Sequence, residues 1–444
     1  MRSVLQSPRL RRIIAAYTIN RLGTWFGYVA LSVTVFAHTH SALGVAALLI
    51  FGQALPAFLV PSLVARIEAS PRRAQLSALY GFEGLTTIGL AVLLWNFWLP
   101  AILLLVAADG TAALAASALL RAEAARVARV EATDSTMAPT ERDGIVEVAE
   151  RKANAALNAA FSLTFVLGPA LAGLVVTRAG GPTALLIDAG TFFVGGAMLT
   201  DLQPHVDDVA HEGVRARLQA AWVHIQEVSA LRRLLIVEAV ALVFFASDAS
   251  IEVPYAKATL QVGDRGYGLL LTVWGIGAVV GSIAFARAVR RPVGTMLTTG
   301  TLAVGLAYVG FAVAPSLPLA CVAGFVGGAG NGIQWASLLS AVQQLTPGNL
   351  QGRIMGAVEG INAFFPGLGL ALGGVLVAVS STRTAFMIVG LGAIAMTAAF
   401  VRLAAVSDLS RPPAAKNPEP VRDLPGELRA GILVEPVTID RPEG

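Results

Sequence analysis

The chain has 444 residues, 55% of them hydrophobic and only 14% charged, with a formal net charge of +4. That balance excludes an ordinary soluble domain and predicts a polytopic membrane protein. Its basic residues fall as short clusters between apolar runs rather than in one patch, so they read as topology signals and exclude a nucleic-acid surface.

A spanning helix takes ~20 mostly apolar residues, and cutting the chain at its charges and Pro/Gly breaks gives about twelve such runs. They are 12–37, 43–65, 74–98, 99–120, 153–177, 182–202, 233–255, 266–287, 294–314, 317–342, 354–379 and 383–405. The first run follows Arg9, Arg11 and Arg12, is longer than a signal-peptide core and lacks a small-residue cleavage site, so it is expected to stay as a spanning helix. The segments 121–152 and 203–233 read as loops. Of the 32 Lys and Arg residues, only Arg178, Lys257, Arg265 and Arg383 fall on the side opposite the N-terminus, and Arg21 lies inside a helix. The positive-inside rule therefore predicts that both termini are cytoplasmic.

The fold class expected is an all-α membrane protein of twelve spanning helices in two pseudo-symmetric bundles. Residues 1–202 form one six-helix half, 203–232 a cytoplasmic linker, 233–405 the second half and 406–444 a disordered tail rich in proline and charge. In the linker, Val214, Leu218, Ala221, Trp222, Ile225 and Val228 share one helical face, which fits either an amphipathic segment on the membrane surface or a soluble linker helix. Repetition supports the halves: LGPALAGLVV at 167–176 and LGLALGGVLV at 368–377 agree at six of ten positions, each in the fifth helix of its half. Double arginines also follow the second helix of each half, in PSLVARIEASPRRAQL and GSIAFARAVRRPVGTML.

Across about residues 10 to 405 the chain resembles the major facilitator superfamily, in particular its drug and siderophore exporters of the enterobactin-exporter and macrolide-efflux type. The stretches that carry this are NRLGTWFGYVALSVTVFAHTHSALGVA, the arginine loop after helix 2, ANAALNAAFSLTFVLGPALAGLVV and LTPGNLQGRIMGAVEGINAFFPGLGLALGGVLV. The resemblance implies a conformational-switch motif at Arg66, Arg72 and Arg73, and a second in the export-associated helix 5 at Gly168, Pro169 and Gly173. It also implies a central cavity lined by helices 1, 4, 7 and 10. Three departures stand out. Ala65 replaces the aspartate of the helix 2/3 motif, Thr24 stands where many such exporters carry an acid, and Val106 aligns with the helix 4 arginine of drug antiporters.

An ionisable group in the bilayer core costs at least ~2.5–3.5 kcal/mol on insertion scales, so each one needs a partner or a wet cavity. Asp109 lies ten residues into helix 4, ~15 Å deep, on a face continued by Ala112, Ala113 and Ala116; it either binds or couples, or is pinned by a neighbouring helix. Arg21 shares a stripe with Tyr17, Thr24, Tyr28 and Ser32, and serves either an anionic substrate and a nearby acid or a static ion pair. Glu83 shares a polar, small stripe with Tyr80, Gly84 and Thr87, and Arg21 is its expected partner. Asp248 and Glu252, four apart, suit proton exchange or a solvated rim neutralised by Lys257. Asn331, Gln334 and Trp335 give helix 10 a face for an amphipathic ligand or for helix–helix hydrogen bonds. Glu359 and Asp188 read as weaker, near helix ends.

No phosphate-binding loop or serine elbow occurs, and His38, His40, His205, His211 and His224 lack metalloprotease spacing, so neither an enzyme nor ATP hydrolysis is expected. With one cysteine, Cys321, no disulfide framework or cysteine metal site is expected, and no metal or cofactor. The function expected is proton-coupled export of amphipathic small molecules of the drug, antibiotic or siderophore class, by a monomer in a bacterial cell membrane, with substrate, protons and lipid as its partners. The alternative is a transport-inactive relative acting as sensor or assembly partner.

Overall fold

A computed structural model describes residues 7–69, 75–132, 139–200, 223–288, 291–346 and 350–406. These form twelve helical rods: α1 (Pro8–Thr39), α2 (Ala42–Leu49, the π-turn Ile50–Ala54 and Leu55–Ala69), α3 (Gln75–Trp95), α4 (Leu99–Ala132), α5 (Pro139–Ala179), α6 (Gly181–Met198), α7 (Ser229–Ala246, Asp248–Pro254 and the π-turn Tyr255–Thr259), α8 (Gly263–Arg287), α9 (Val293–Val313), α10 (Leu317–Gln344), α11 (Gln351–Val379) and α12 (Thr382–Val406). No strand occurs among the described residues. Helices satisfy every backbone donor and acceptor within one segment, which the hydrocarbon interior demands. Nine rods are long and apolar enough to cross a bilayer on their own. The other three, α1, α6 and α10, carry Arg21, Asp188 and the Asn331–Gln334 pair inside their apolar runs.

The segment 121–152 is not the expected loop. The helix α4 runs on to Ala132 and α5 begins at Pro139. Alanine-rich RAEAARVARVEA favours helix, and its Ala124, Val127 and Ala128 pack in the apolar core at that end of the first bundle. Glu123 accepts from Arg126 at 2.5 Å, and Arg129 bonds Glu150 across the two extensions at 2.8 Å. At the chain's start, the Ser7 hydroxyl caps α1 by accepting from the Leu10 amide at 3.0 Å, with Pro8 at the first helical position.

The contacts fall mainly within α1–α6 and within α7–α12; between the two sets α5 meets α8, α2 meets α11, and the Asp248–Pro254 segment of α7 meets α2 and α1. We call the end carrying the α1–α2, α5–α6, α7–α8 and α11–α12 connections distal, and the opposite end proximal. Near the distal end the backbones almost touch: a Cβ on Gly268 would lie 2.5 Å from the Pro169 carbonyl oxygen, and one on Gly374 2.8 Å from the Ala46 Cβ. Closer to mid-helix, Phe58 and Phe364 stack edge to face across the α2–α11 seam. One apolar core joins distal α1 and α2 residues such as Phe26, Val29 and Val45 to Tyr267, Phe311 and Phe386. The proximal end of α1–α6 has a separate core around Ile13, Tyr17, Leu120 and Leu157, containing no residue of α7–α12. The two bundles are thus bonded to each other distally and packed apart proximally.

Of the connecting segment, residues 201–222, and with them Val214, Leu218, Ala221 and Trp222, lie outside the described residues. From Val223 the chain docks on the last six rods, with Ile225 buried and His224 Nε2 3.3 Å from the Leu345 carbonyl. Arg72, Arg73 and residues 407–444 also lie outside the described residues, as does the Arg66 side chain.

Candidate functional site

A cavity of about 510 Å³ opens among α1, α2, α3, α4, α5 and α6. Its polar wall holds Arg21, Thr24, Tyr28, Gln53, Thr87, Asp109 and Asp188, and its aromatic wall Trp25, Phe161, Phe165 and Phe192. Helical spacing explains the α1 contribution, since Arg21, Thr24, Tyr28 and Ser32 recur every three or four residues and face one way. Trp25 meets Tyr28 and Phe165 edge to face, with centroids 5.6 and 5.2 Å apart. The indole occupies space that Gly168 leaves open, because a Cβ there would come within 2.2 Å of Trp25 Cδ1. The helix-5 motif therefore does two things. Gly168 admits a cavity-lining tryptophan, while Pro169 and Gly173 meet Gly268 at the α5–α8 seam.

Asp109 accepts a hydrogen bond from the Thr86 hydroxyl at 2.5 Å. Glu83 is buried at 1% exposure one turn from Thr86, and its Oε1 has no hydrogen-bond partner among the described residues. Asp188, expected near a helix end, is instead buried at 4% and lines the cavity. The α1–α6 crossing places it there: Cβ atoms on Gly23 and Gly27 would fall 2.6 and 2.5 Å from its two carboxylate oxygens, so only glycine at both positions leaves the carboxylate room. Depth along one helix misjudged this residue; the groove it fills belongs to another helix. Glu83 interacts electrostatically with Asp109, Asp188 and Arg21, so the four groups form one cluster.

Arg21 does not close an ion pair with Glu83. Among the described residues it has no carboxylate within ion-pair distance; its guanidinium lies 3.4 Å from the Ser117 hydroxyl and over the rings of Tyr17 and Phe161 at 5.5 and 5.8 Å. Val106, the position aligned with the antiporter arginine, stands in the cavity wall as an apolar side chain. The cluster therefore holds three carboxylates and one guanidinium.

In the second bundle, Gln334 donates to Glu238 Oε2 at 2.8 Å, and Glu238 is 1% exposed with its Oε1 lacking a partner among the described residues. Sequence reasoning missed Glu238, although it gives the same signal as Glu83, a lone acid in an apolar run (LLIVEAVALV). Asn331 is half-buried and Trp335 exposed, so Gln334 alone of that trio faces the bundle interior fully. Asp248 and Glu252 do not form a solvated rim: Glu252 is buried and Asp248 half-buried, and Lys257 pairs instead with Asp264 at 2.8 Å. Glu359 is exposed. No group of three or more metal-ligating side chains occurs among the described residues.

The family model described as Major Facilitator Superfamily matches residues 239–439. The chain is similar in sequence to the multidrug efflux pump Tap of Mycobacterium tuberculosis, 26% identical over 300 residues, which are 64% of this chain and 70% of that protein. In structure it is similar to the nucleoside transporter NupG, with a TM-score of 0.66 at 12% identity over 89% of this chain and 99% of that one. The chain is thus similar to the major facilitator superfamily in the sequence of its second half and shares the fold of transporters solved from it. A bacterial homologue of the iron transporter ferroportin, solved in an inward-facing state, shares the fold at a TM-score of 0.65 and 14% identity, covering 89% of this chain and 98% of that one. The Tap protein of Mycolicibacterium fortuitum is 29% identical over 252 residues, 54% of this chain and 60% of that protein.

Proposed function

We propose that the protein exports amphipathic small molecules, organic cations above all, in exchange for protons, working as a monomer in a bacterial cell membrane with both termini cytoplasmic and the distal end outside. The observation that carries this reading is that Asp109 and Asp188 line one cavity with Arg21, while Glu83, buried behind the wall, interacts with all three. Carboxylates without counter-ions are unfavourable at membrane depth, so protons or a cationic ligand must neutralise the excess. Either occupant serves, and each displaces the other, which is the elementary requirement of antiport. The rings of Trp25, Phe161, Phe165 and Phe192 offer apolar area and π-faces to the ligand's hydrophobic body and its charge. Rocking of the two bundles about their contacts at α5–α8, α2–α11 and α7 with α1 and α2 would alternate access to the cavity, and the distal packing of the bundles supports a distally closed arrangement.

The relatives named as multidrug efflux pumps support the drug class. In proteoliposomes with an imposed pH gradient, tetraphenylphosphonium should move against the proton flow, and Asp109→Asn should abolish that movement in protein that still folds and inserts. Absence of gradient-driven movement for cationic, neutral and anionic probes alike would favour a transport-inactive sensor or assembly partner. Normal export by Asp109→Asn would remove this residue from the site.

A further inference from the structure

We infer that Asp248 and Glu252 form a proton-binding latch on the distal seal, separate from the cavity of the first bundle. The inference rests on the proposed alternation between sealed and open distal ends.

The pair sits in the irregular part of α7, between the interruption at Ser247 and the π-turn that begins after Pro254. Proline removes a backbone donor and crowds the preceding turn, which weakens the helix at Pro254, where the π-turn follows. Interrupted helices at membrane depth recur where a transporter holds an ion. Gly373 of α11 fits into the interruption, since a Cβ there would lie 2.2 Å from the Ser247 carbonyl oxygen.

What makes the pair more than two neighbouring acids is the group facing it across the seal. Tyr267 of α8 is fully buried, its hydroxyl meets that of Tyr28, and it interacts electrostatically with Glu252 and Asp248. Tyr28 belongs to α1, in the other bundle, and lines the cavity on its way to the acids. The hydroxyl of Tyr308, from α9, donates to the Phe245 carbonyl at 2.8 Å and also lies against the Asp248 carboxyl. The segments of α2 and α11 at this level contain no ionisable residue. From α12 comes Arg383, bonded to the Ala312 carbonyl at 2.9 Å. On α7 itself Lys257 is held by Asp264. The two carboxyls are therefore packed at a bundle–bundle contact with phenols around them and no base beside them.

Two anions four residues apart in such a place repel each other and lack solvent, whereas protonated carboxyls can donate to each other or to the phenol oxygens. The sealed state therefore keeps its protons. Opening the distal end withdraws Tyr28 from the pair and lets water reach it, so the protons leave to the distal medium. As pH rises, loss of protons removes the stability of the sealed state; as pH falls, the seal is restored.

The test uses spin labels at Asn96→Cys and Ser316→Cys, exposed positions on the distal loops of the two bundles, in full-length Cys321→Ser protein in nanodiscs without substrate. The distance distribution should stay short at low pH and gain a longer population as pH rises. In Asp248→Asn/Glu252→Gln the short distance should persist across the whole range. Tyr267→Phe, which keeps both acids and the packing, should shift the midpoint without changing the sealed distance. Two results overturn the latch: a pH response unchanged in the double variant, or a distance in the parent protein that ignores pH. A response abolished by Asp109→Asn instead of by the α7 pair overturns it too, and leaves the export reading standing. Opening driven by added sodium at constant pH would assign the pair to a metal cation and also overturn the proposal. Tetraphenylphosphonium movement, measured on the same preparation, reports on export independently of the latch.

Discussion

Gln334 donates to the Glu238 carboxylate inside the second bundle, and the consequences of losing it follow from burial. Replacing Gln334 with Leu leaves Glu238 buried with neither oxygen satisfied, which costs about 1–3 kcal/mol, more if the carboxylate stays charged. The thermal midpoint of Gln334→Leu should drop, and Glu238→Leu added to it should recover much of the loss, because the pair is then replaced by apolar volume. A double variant as unstable as the single one would show that Glu238 has other support. Arg21 and Glu83 call for a different expectation. A directly bonded buried pair, when broken, loses ~3–5 kcal/mol and shows strong coupling. Here the guanidinium is held by Ser117 and two rings, so Arg21→Gln and Glu83→Gln should couple by well under that amount in a double-mutant cycle on melting. Strong coupling would mean that the two side chains meet in another state of the transport cycle.

At the scale of helices, the α5–α8 seam depends on the absence of side chains. A Cβ on Gly268 would meet the Pro169 carbonyl at 2.5 Å and the Gly173 Cα at 3.2 Å, both backbone atoms that a rotamer change cannot move aside. Gly268→Ala should therefore push α5 and α8 apart and destabilise the distally sealed form by about 1–3 kcal/mol, the usual size of an overpacking effect. Distances between distal spin labels should lengthen while the helix content by circular dichroism is unchanged. An unaltered distance together with full export would show that the seam tolerates separation. By contrast, the Arg129–Glu150 bond joining the extensions of α4 and α5 is exposed on both sides, 46% and 28%. Arg129→Ala should cost under ~1 kcal/mol in melting, as exposed ion pairs do.

For the whole molecule, orientation is the property with the broadest consequences, because it decides which medium the α7 acids and the cavity meet. In a Cys321→Ser background, Ser316→Cys and Ser381→Cys should react with an impermeant maleimide added to intact cells, and Thr200→Cys should react only after lysis. The opposite pattern would invert the proposed direction of transport. All three residues are exposed, on the distal and proximal ends respectively.

Much of the architecture was legible in the sequence, since the cost of unpaired backbone in hydrocarbon leaves an apolar run of this length little choice but a helix. Run length and the positions of arginine therefore fixed the rods, their approximate ends and the expected topology. The ends failed where the criterion had no force, as in the α4 and α5 extensions, which are set by alanine propensity, by ion pairs and by the packing of Ala124, Val127 and Ala128 in the proximal core. Embedded acids were legible as types: Glu83, Asp109, Asp248 and Glu252 each interrupt an apolar run. Their company was not. That Asp188 fills the groove of Gly23 and Gly27, that Arg21 rests on Ser117 and two rings, that Glu238 meets Gln334, and that Tyr267 confronts the α7 pair are facts of helix rotation and crossing. Such contacts join residues as many as 165 positions apart, as for Gly23 and Asp188. Hydropathy says that a polar group must find a partner; which helix supplies it is decided by how twelve rods pack, and only the tertiary structure contains that.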